Sequence, residues 1–99
     1  MKLNIQSIHF DADQKLLDII QNKADKLDTY FDRIVSGEVF LRLEKSENRE
    51  NKLVEIKLIV PGNDLFASKK SSSFEEAADE AIEALRRQVK KLKEKLAER

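Results

Sequence analysis

Arg86, Arg87, Lys90, Lys91, Lys93, Lys95 and Arg99 crowd the last 14 residues, with only Glu94 and Glu98 to oppose them, a local net charge of +5. Guanidinium and ammonium groups at this density suit phosphate, through charge-assisted hydrogen bonds and release of counterions. Residues 1–85 carry 12 Lys+Arg against 17 Asp+Glu, a net of −5, so the formal net charge of zero conceals a basic element on an acidic body. Fields are screened over about 8 Å in physiological salt, so the local balance governs what the basic element attracts. A helix C-terminus favours a few cations through its dipole. Seven in 14 residues exceed that need and point to a polyanionic partner. Lys23, Lys26 and Arg33 can join the set if their part of the chain lies beside it.

Little else in the sequence could do chemistry. His9 is the single histidine and there is no cysteine. Neither a metal cluster nor a thiol nucleophile can be assembled from such a set. Asp11 and Asp13 are better explained as a helix start than as metal ligands. The two glycines are 25 positions apart, which excludes a glycine-rich nucleotide cradle. No serine stands in a nucleophile motif. An enzyme, a cofactor, a bound metal and a small-molecule substrate are therefore not expected. Tyr30 and Phe66 could stack on a base, although packing explains Phe66 better.

The cations need elements to position them. At 99 residues, 40% hydrophobic and 38% charged, the chain has the composition of one globular domain, 1–99. Its N-terminus, MKLNIQSIHF, lacks the apolar run of a signal peptide, and no segment is apolar enough to cross a membrane. A cytoplasmic location is the expectation. KLNIQSIHF reads as a strand. Asp11 as N-cap with Gln14 three residues on predicts a capping box. A helix to about Phe31 follows, with Leu16, Ile20, Ala24, Leu27 and Phe31 on one stripe. Glu38–Lys45 alternates with Val39, Leu41 and Leu43 inward, and Lys52–Val60 with Val54, Ile56, Leu58 and Val60 inward. The polar run 46–51 is a turn. Pro61-Gly62-Asn63-Asp64 is another, and Leu65–Lys70 is a short edge strand. Ser73-Phe74-Glu75-Glu76 is a second capping box. It opens a helix to about residue 98 with Ala78, Ala81, Ile82, Leu85, Val89, Leu92 and Leu96 on its apolar stripe.

The order is β-α-β-β-β-α, an α+β fold. A four-stranded sheet has two helices packed on one face, as in double-stranded-RNA-binding domains. A right-handed crossover makes the first two strands parallel. Hairpins make the others antiparallel. The last helix, roughly 37 Å long, should overhang strands of about 23 Å. On its two flanks Arg86, Lys90 and Lys93 face one way, and Arg87, Lys91 and Lys95 the other.

Two segments carry a resemblance. Lys23-Ala-Asp-Lys-Leu-Asp-Thr-Tyr-Phe-Asp-Arg-Ile34 resembles the end of the first helix in ribosome hibernation promoting factors. That family includes the ribosome-associated inhibitor of translation and proteins once called sigma-54 modulation factors. Arg87-Gln88-Val89-Lys90-Lys91-Leu92-Lys93-Glu94-Lys95 is similar to the basic stretch of the family's last helix. The element order agrees throughout. The resemblance implies binding to the small (30S) ribosomal subunit at the decoding region, in the channel of messenger and transfer RNA. Translation would be inhibited in the stationary phase and under stress. Lys23, Lys26, Arg87, Lys91, Lys93 and Lys95 match the residues that face 16S rRNA. Arg86 and Lys90 join them on charge, and Arg33 by position. Ser73-Phe74-Glu75 stands where many members have an Asp-Leu-Tyr-like run, so no tyrosine contact is expected at Glu75. The chain ends directly after the helix, which favours the short hibernation type over members with a C-terminal tail or pairing domain. The alternative is a protein-interaction module whose basic helix docks on an acidic partner such as a transcription factor.

Overall fold

The computed structural model describes residues 1–45 and 49–97. Residues 46–48, within the expected turn, and 98–99, at the end of the last helix, lie outside the described residues. Six elements follow one another: β1 (Lys2–Ile8), α1 (Gln14–Tyr30), β2 (Ser36–Leu43), β3 (Lys52–Val60), β4 (Asn63–Ser71) and α2 (Phe74–Ala97). The sheet order is β1-β2-β3-β4. β1 runs parallel to β2, and β3 and β4 are antiparallel to their neighbours, as the crossover and hairpin rules require.

Both helices cover one face of the sheet. Val39 and Leu41 of β2, Val54, Ile56 and Leu58 of β3, and Leu85 and Val89 of α2 are fully buried in one core with Ile20 of α1. α2 turns small residues to the sheet where it lies closest: Ala77, Ala78 and Ala81 are buried, and Ala77 was not in the expected stripe. The other sheet face is open. Arg42 pairs with Glu55 at 2.8 Å, Lys57 with Asp64 at 3.5 Å, and Lys70 with Glu44 at 2.6 Å. Phe66 belongs to this face and is 52% exposed, so it does not pack under a loop.

Several local expectations change. β1 ends at Ile8. His9 takes φ +65°, a left-handed conformation that histidine tolerates better than most side chains, and it turns the chain out of the strand. Phe10 then stacks on Phe74, centroids 5.0 Å apart. The α1 N-cap is Asp13, not Asp11: its Oδ1 accepts from Leu16 N at 2.8 Å. Gln14 closes no capping box and instead donates to Asp18. β2 begins earlier and ends earlier than the alternation indicates. Leu43 closes the strand half-exposed instead of inward. Gly37 lies inside β2, where a Cβ would stand 2.7 Å from Leu3 Cδ1 and 3.1 Å from Leu58 Cδ2. Only glycine admits so close an approach. β3 and β4 meet in a two-residue turn, Pro61-Gly62, with Gly62 at φ +78°.

Candidate nucleic-acid interface

α2 starts on Ser73, whose Oγ accepts from Glu76 N at 3.1 Å. The return half of the expected box is made elsewhere. Ser71 and Ser72 hydroxyls donate to Glu76 Oε2 at 2.8 and 2.9 Å and hold its carboxyl below the usual glutamate range. Glu75 and Glu76 complement the positive helix end. The acids continue through Asp79, Glu80 and Glu83, and then the sign reverses at Arg86. Charge is thus sorted along one helix, with the basic half at its C-terminal end.

That half is not a free overhang. β3 and β4 have nine residues each, about 30 Å, nearly the length of the helix. Leu92 and Leu96, half-buried, share a cleft of about 580 Å³ with Pro61 and Gly62 of the β3–β4 turn. Arg33 and Lys95 edge the same cleft. Arg33 also borders a hollow with Lys93, so the residue just past α1 joins the end of α2. Lys91 and Lys95 line a shallow groove along β4. There Gln88 Nε2 donates to the Phe66 carbonyl at 2.7 Å. Arg87 opens into a hollow with Lys69 of β4 and with Asp79, Glu80 and Glu83. Lys90 is exposed on the outer surface.

The flank toward α1 is more constrained. Lys23, Lys26, Tyr30 and Arg86 line a cleft of about 230 Å³ floored by Leu27 and Ile82. Lys23 is engaged by Asp79, Nζ to Oδ1 2.5 Å, and is only partly exposed. Arg86 lies 3.6 Å from Glu83 and its guanidinium is 5.4 Å from the Tyr30 ring centroid. Lys93 Nζ is 4.3 Å from the same centroid and donates to the Tyr30 carbonyl at 2.9 Å. Asp25 and Asp28 do not balance Lys23 and Lys26. They accept instead from the Met1 ammonium, whose pKa is raised by Asp28 first and Asp25 second. Asp25 in turn is held below the usual range by Gln21 and by that ammonium.

Seven of the nine cations, Arg33, Arg86, Arg87, Lys90, Lys91, Lys93 and Lys95, surround the C-terminal half of α2, while Lys23 and Lys26 lie on α1 in the cleft with Asp79 and Arg86, so the set does not share a single groove between helices. Among the described residues, Lys26, Arg33, Arg87, Lys90, Lys91 and Lys95 have no carboxylate at ion-pair distance, in contrast to Arg42, Lys57 and Lys70 of the sheet. Lys23 and Lys93 are drawn into contacts within the fold. Asp79 carries no signal in the sequence, and Tyr30, expected only as a ring that could stack on a base, instead holds Lys93; an acid at the cleft and an aromatic at a helix end are too common to signal these contacts. Among the described residues no group of His, Cys, Asp or Glu could hold a metal, and no helix is long and apolar enough to cross a membrane.

Two helices on one face of a mixed four-stranded sheet, with unpaired cations gathered around the end of the second helix, define an α+β protein. The chain belongs to the Sigma 54 modulation protein / S30EA ribosomal protein family, whose model matches residues 3–97. This family is non-enzymatic, in keeping with the sequence, which offers no catalytic set. The chain is 33% identical over 96 residues to the ribosome hibernation promoting factor of Escherichia coli K12, covering 97% of each. It is 32% identical over 95 residues to that of Pseudomonas putida, covering 96% of this chain and 89% of the relative. A ribosomal subunit interface protein from Coxiella burnetii has the same fold, with a TM-score of 0.82 at 19% identity over 94% of this chain and 98% of that one. The N-terminal domain of Thermus thermophilus Protein Y also matches, with a TM-score of 0.80 at 22% identity over 93% and 99%.

Proposed function

We propose that this chain is a cytoplasmic ribosome hibernation factor. It binds the small (30S) ribosomal subunit as a single domain, 1–99, in the channel of messenger and transfer RNA, and inhibits translation in non-growing cells by occupying it. The reading is supported by the names of its relatives and carried by one observation. Among the described residues, the basic collar on α2 keeps Arg87, Lys90, Lys91 and Lys95 without carboxylate partners, while Arg42, Lys57 and Lys70 on the open sheet face are paired. Unpaired surface cations spaced over about 12 Å of one helix are suited to a run of phosphates, and shape rather than base sequence is how structured RNA is mostly read. Arg87, Lys91 and Lys95 grip 16S rRNA on the β4 side. Arg33 joins Lys95 at the helix end, and Lys26, Lys90 and Arg86 act on the α1 side.

The test is co-sedimentation with 30S subunits across a salt series. With four to six phosphates neutralised, log K falls against log salt with a slope on the order of −3 to −5. A flat titration would remove the electrostatic mechanism. The triple change Arg87→Glu, Lys91→Glu, Lys95→Glu is expected to abolish co-sedimentation while circular dichroism stays unchanged. Retained binding would overturn the site. RNase treatment of a pull-down discriminates against docking on an acidic protein, because only an RNA partner is lost.

A further inference from the structure

α1 ends without a basic residue in its last turn. The last carbonyls of a helix are unpartnered within it and carry the negative end of the dipole. The cation that meets them comes from another helix: Lys93 of α2 donates to the carbonyl of Tyr30, the final residue of α1, at 2.9 Å. The same ammonium lies 4.3 Å from the centre of the Tyr30 ring, and the Arg86 guanidinium lies 5.4 Å from it. Residues 86 and 93 are two turns apart on one flank of α2. A single aromatic side chain thus holds two cations of the collar by its negative π face.

We propose that Tyr30 is a positioning residue for RNA binding: it gathers Arg86 and Lys93 against the end of α1, so that they meet phosphate already in place. This rests on the ribosome-binding reading above and deepens it. A long cationic side chain otherwise gives up rotamer freedom when it binds. Two such side chains tethered beforehand have less to lose. The contact to the ring leaves part of each charged group free: a guanidinium has five N–H donors and an ammonium three, of which Lys93 uses one on the carbonyl. The ring also lines the cleft that Lys26 and Arg86 share.

Tyr30 is the only tyrosine, and there is no tryptophan. Two measurements on the full chain test the proposal. In the free protein, NMR should place the ε-methylene protons of Lys93 upfield, shifted by the ring current of Tyr30. Tyr30→Phe should keep that shift and Tyr30→Leu should lose it. With 30S subunits, Tyr30→Phe is expected to bind within about twofold of the parent chain and Tyr30→Leu about tenfold more weakly, the equivalent of two exposed cation–π contacts. An upfield shift that survives Tyr30→Leu would overturn the tether. A shift that is lost while affinity stays unchanged would overturn the positioning role. Failure of the parent chain itself to bind 30S subunits is a separate result, and it would remove the ribosome reading.

Discussion

Asp79 is the residue whose chemistry most limits the basic surface. It holds Lys23 across the two helices and lines both the interhelical cleft and the hollow around Arg87. An exposed ion pair of this kind stabilises a fold by less than about 1 kcal/mol. Its effect on a phosphate nearby is larger in proportion, because it both neutralises a cation and repels the ligand. Asp79→Asn should therefore tighten binding to 30S subunits by about two- to fivefold at low salt and leave the melting temperature almost unchanged. Unchanged or weaker binding in a titration would show that Lys23 has no part in it. The Lys23–Asp79 contact spans 56 positions in sequence and was not legible there. Residue spacing shows which side chains share a helix face, but not which turn of a second helix lies opposite. The same reason hid the partnership of Lys93 with Tyr30. Lys26, Arg87, Lys90, Lys91 and Lys95 were legible because exposure on a helix follows from its own periodicity.

Among the elements, α2 shows how a helix start controls a binding surface that lies at the other end. Its first turn is tied to the end of β4 by the carboxylate of Glu76, which accepts from Ser71 and Ser72. Those bonds lower the Glu76 pKa in the folded chain. A lowered folded value contributes stability that is present above the ordinary glutamate value of about 4.5 and is lost as pH falls through the lowered one. Thermal unfolding followed by circular dichroism should show the midpoint dropping below about pH 4.5. Glu76→Gln should flatten its share of that drop and lower the midpoint at neutral pH. An identical acid profile in Glu76→Gln would rule out this contribution. The element order, the parallel first pair and the bounds of β3 could all be read from alternation and turn residues. Caps were harder: Asp11 and Asp13 are chemically equal candidates, and only the turn at His9 decides between them. Gly37 falls just outside the alternation that begins at Glu38, and a glycine gives no sign that Leu3 and Leu58 fill the space beside it.

For the whole molecule, the two faces are electrically different objects. On the open sheet face Arg42, Lys57 and Lys70 are neutralised by neighbouring carboxylates, and the helical face concentrates unpaired cations around the end of α2. A helix about 10 Å thick separates them, more than the screening length of about 8 Å. Reversing charge on the sheet should therefore leave binding intact: Lys57→Glu is expected to co-sediment with 30S subunits within about twofold of the parent chain. A loss comparable to that of the α2 triple change would place the sheet in the interface. The zero net charge conceals this division, and the run of signs along the chain exposes only its basic C-terminal part.

The ammonium that closes the end of α1 arrives 63 positions later in the chain. The first helix is therefore completed only by the docking of the last. Opening of the final turns of α2 would remove the Lys93 donor from the Tyr30 carbonyl. Hydrogen exchange is expected to show the two helix ends opening together, although they are built from distant stretches of sequence.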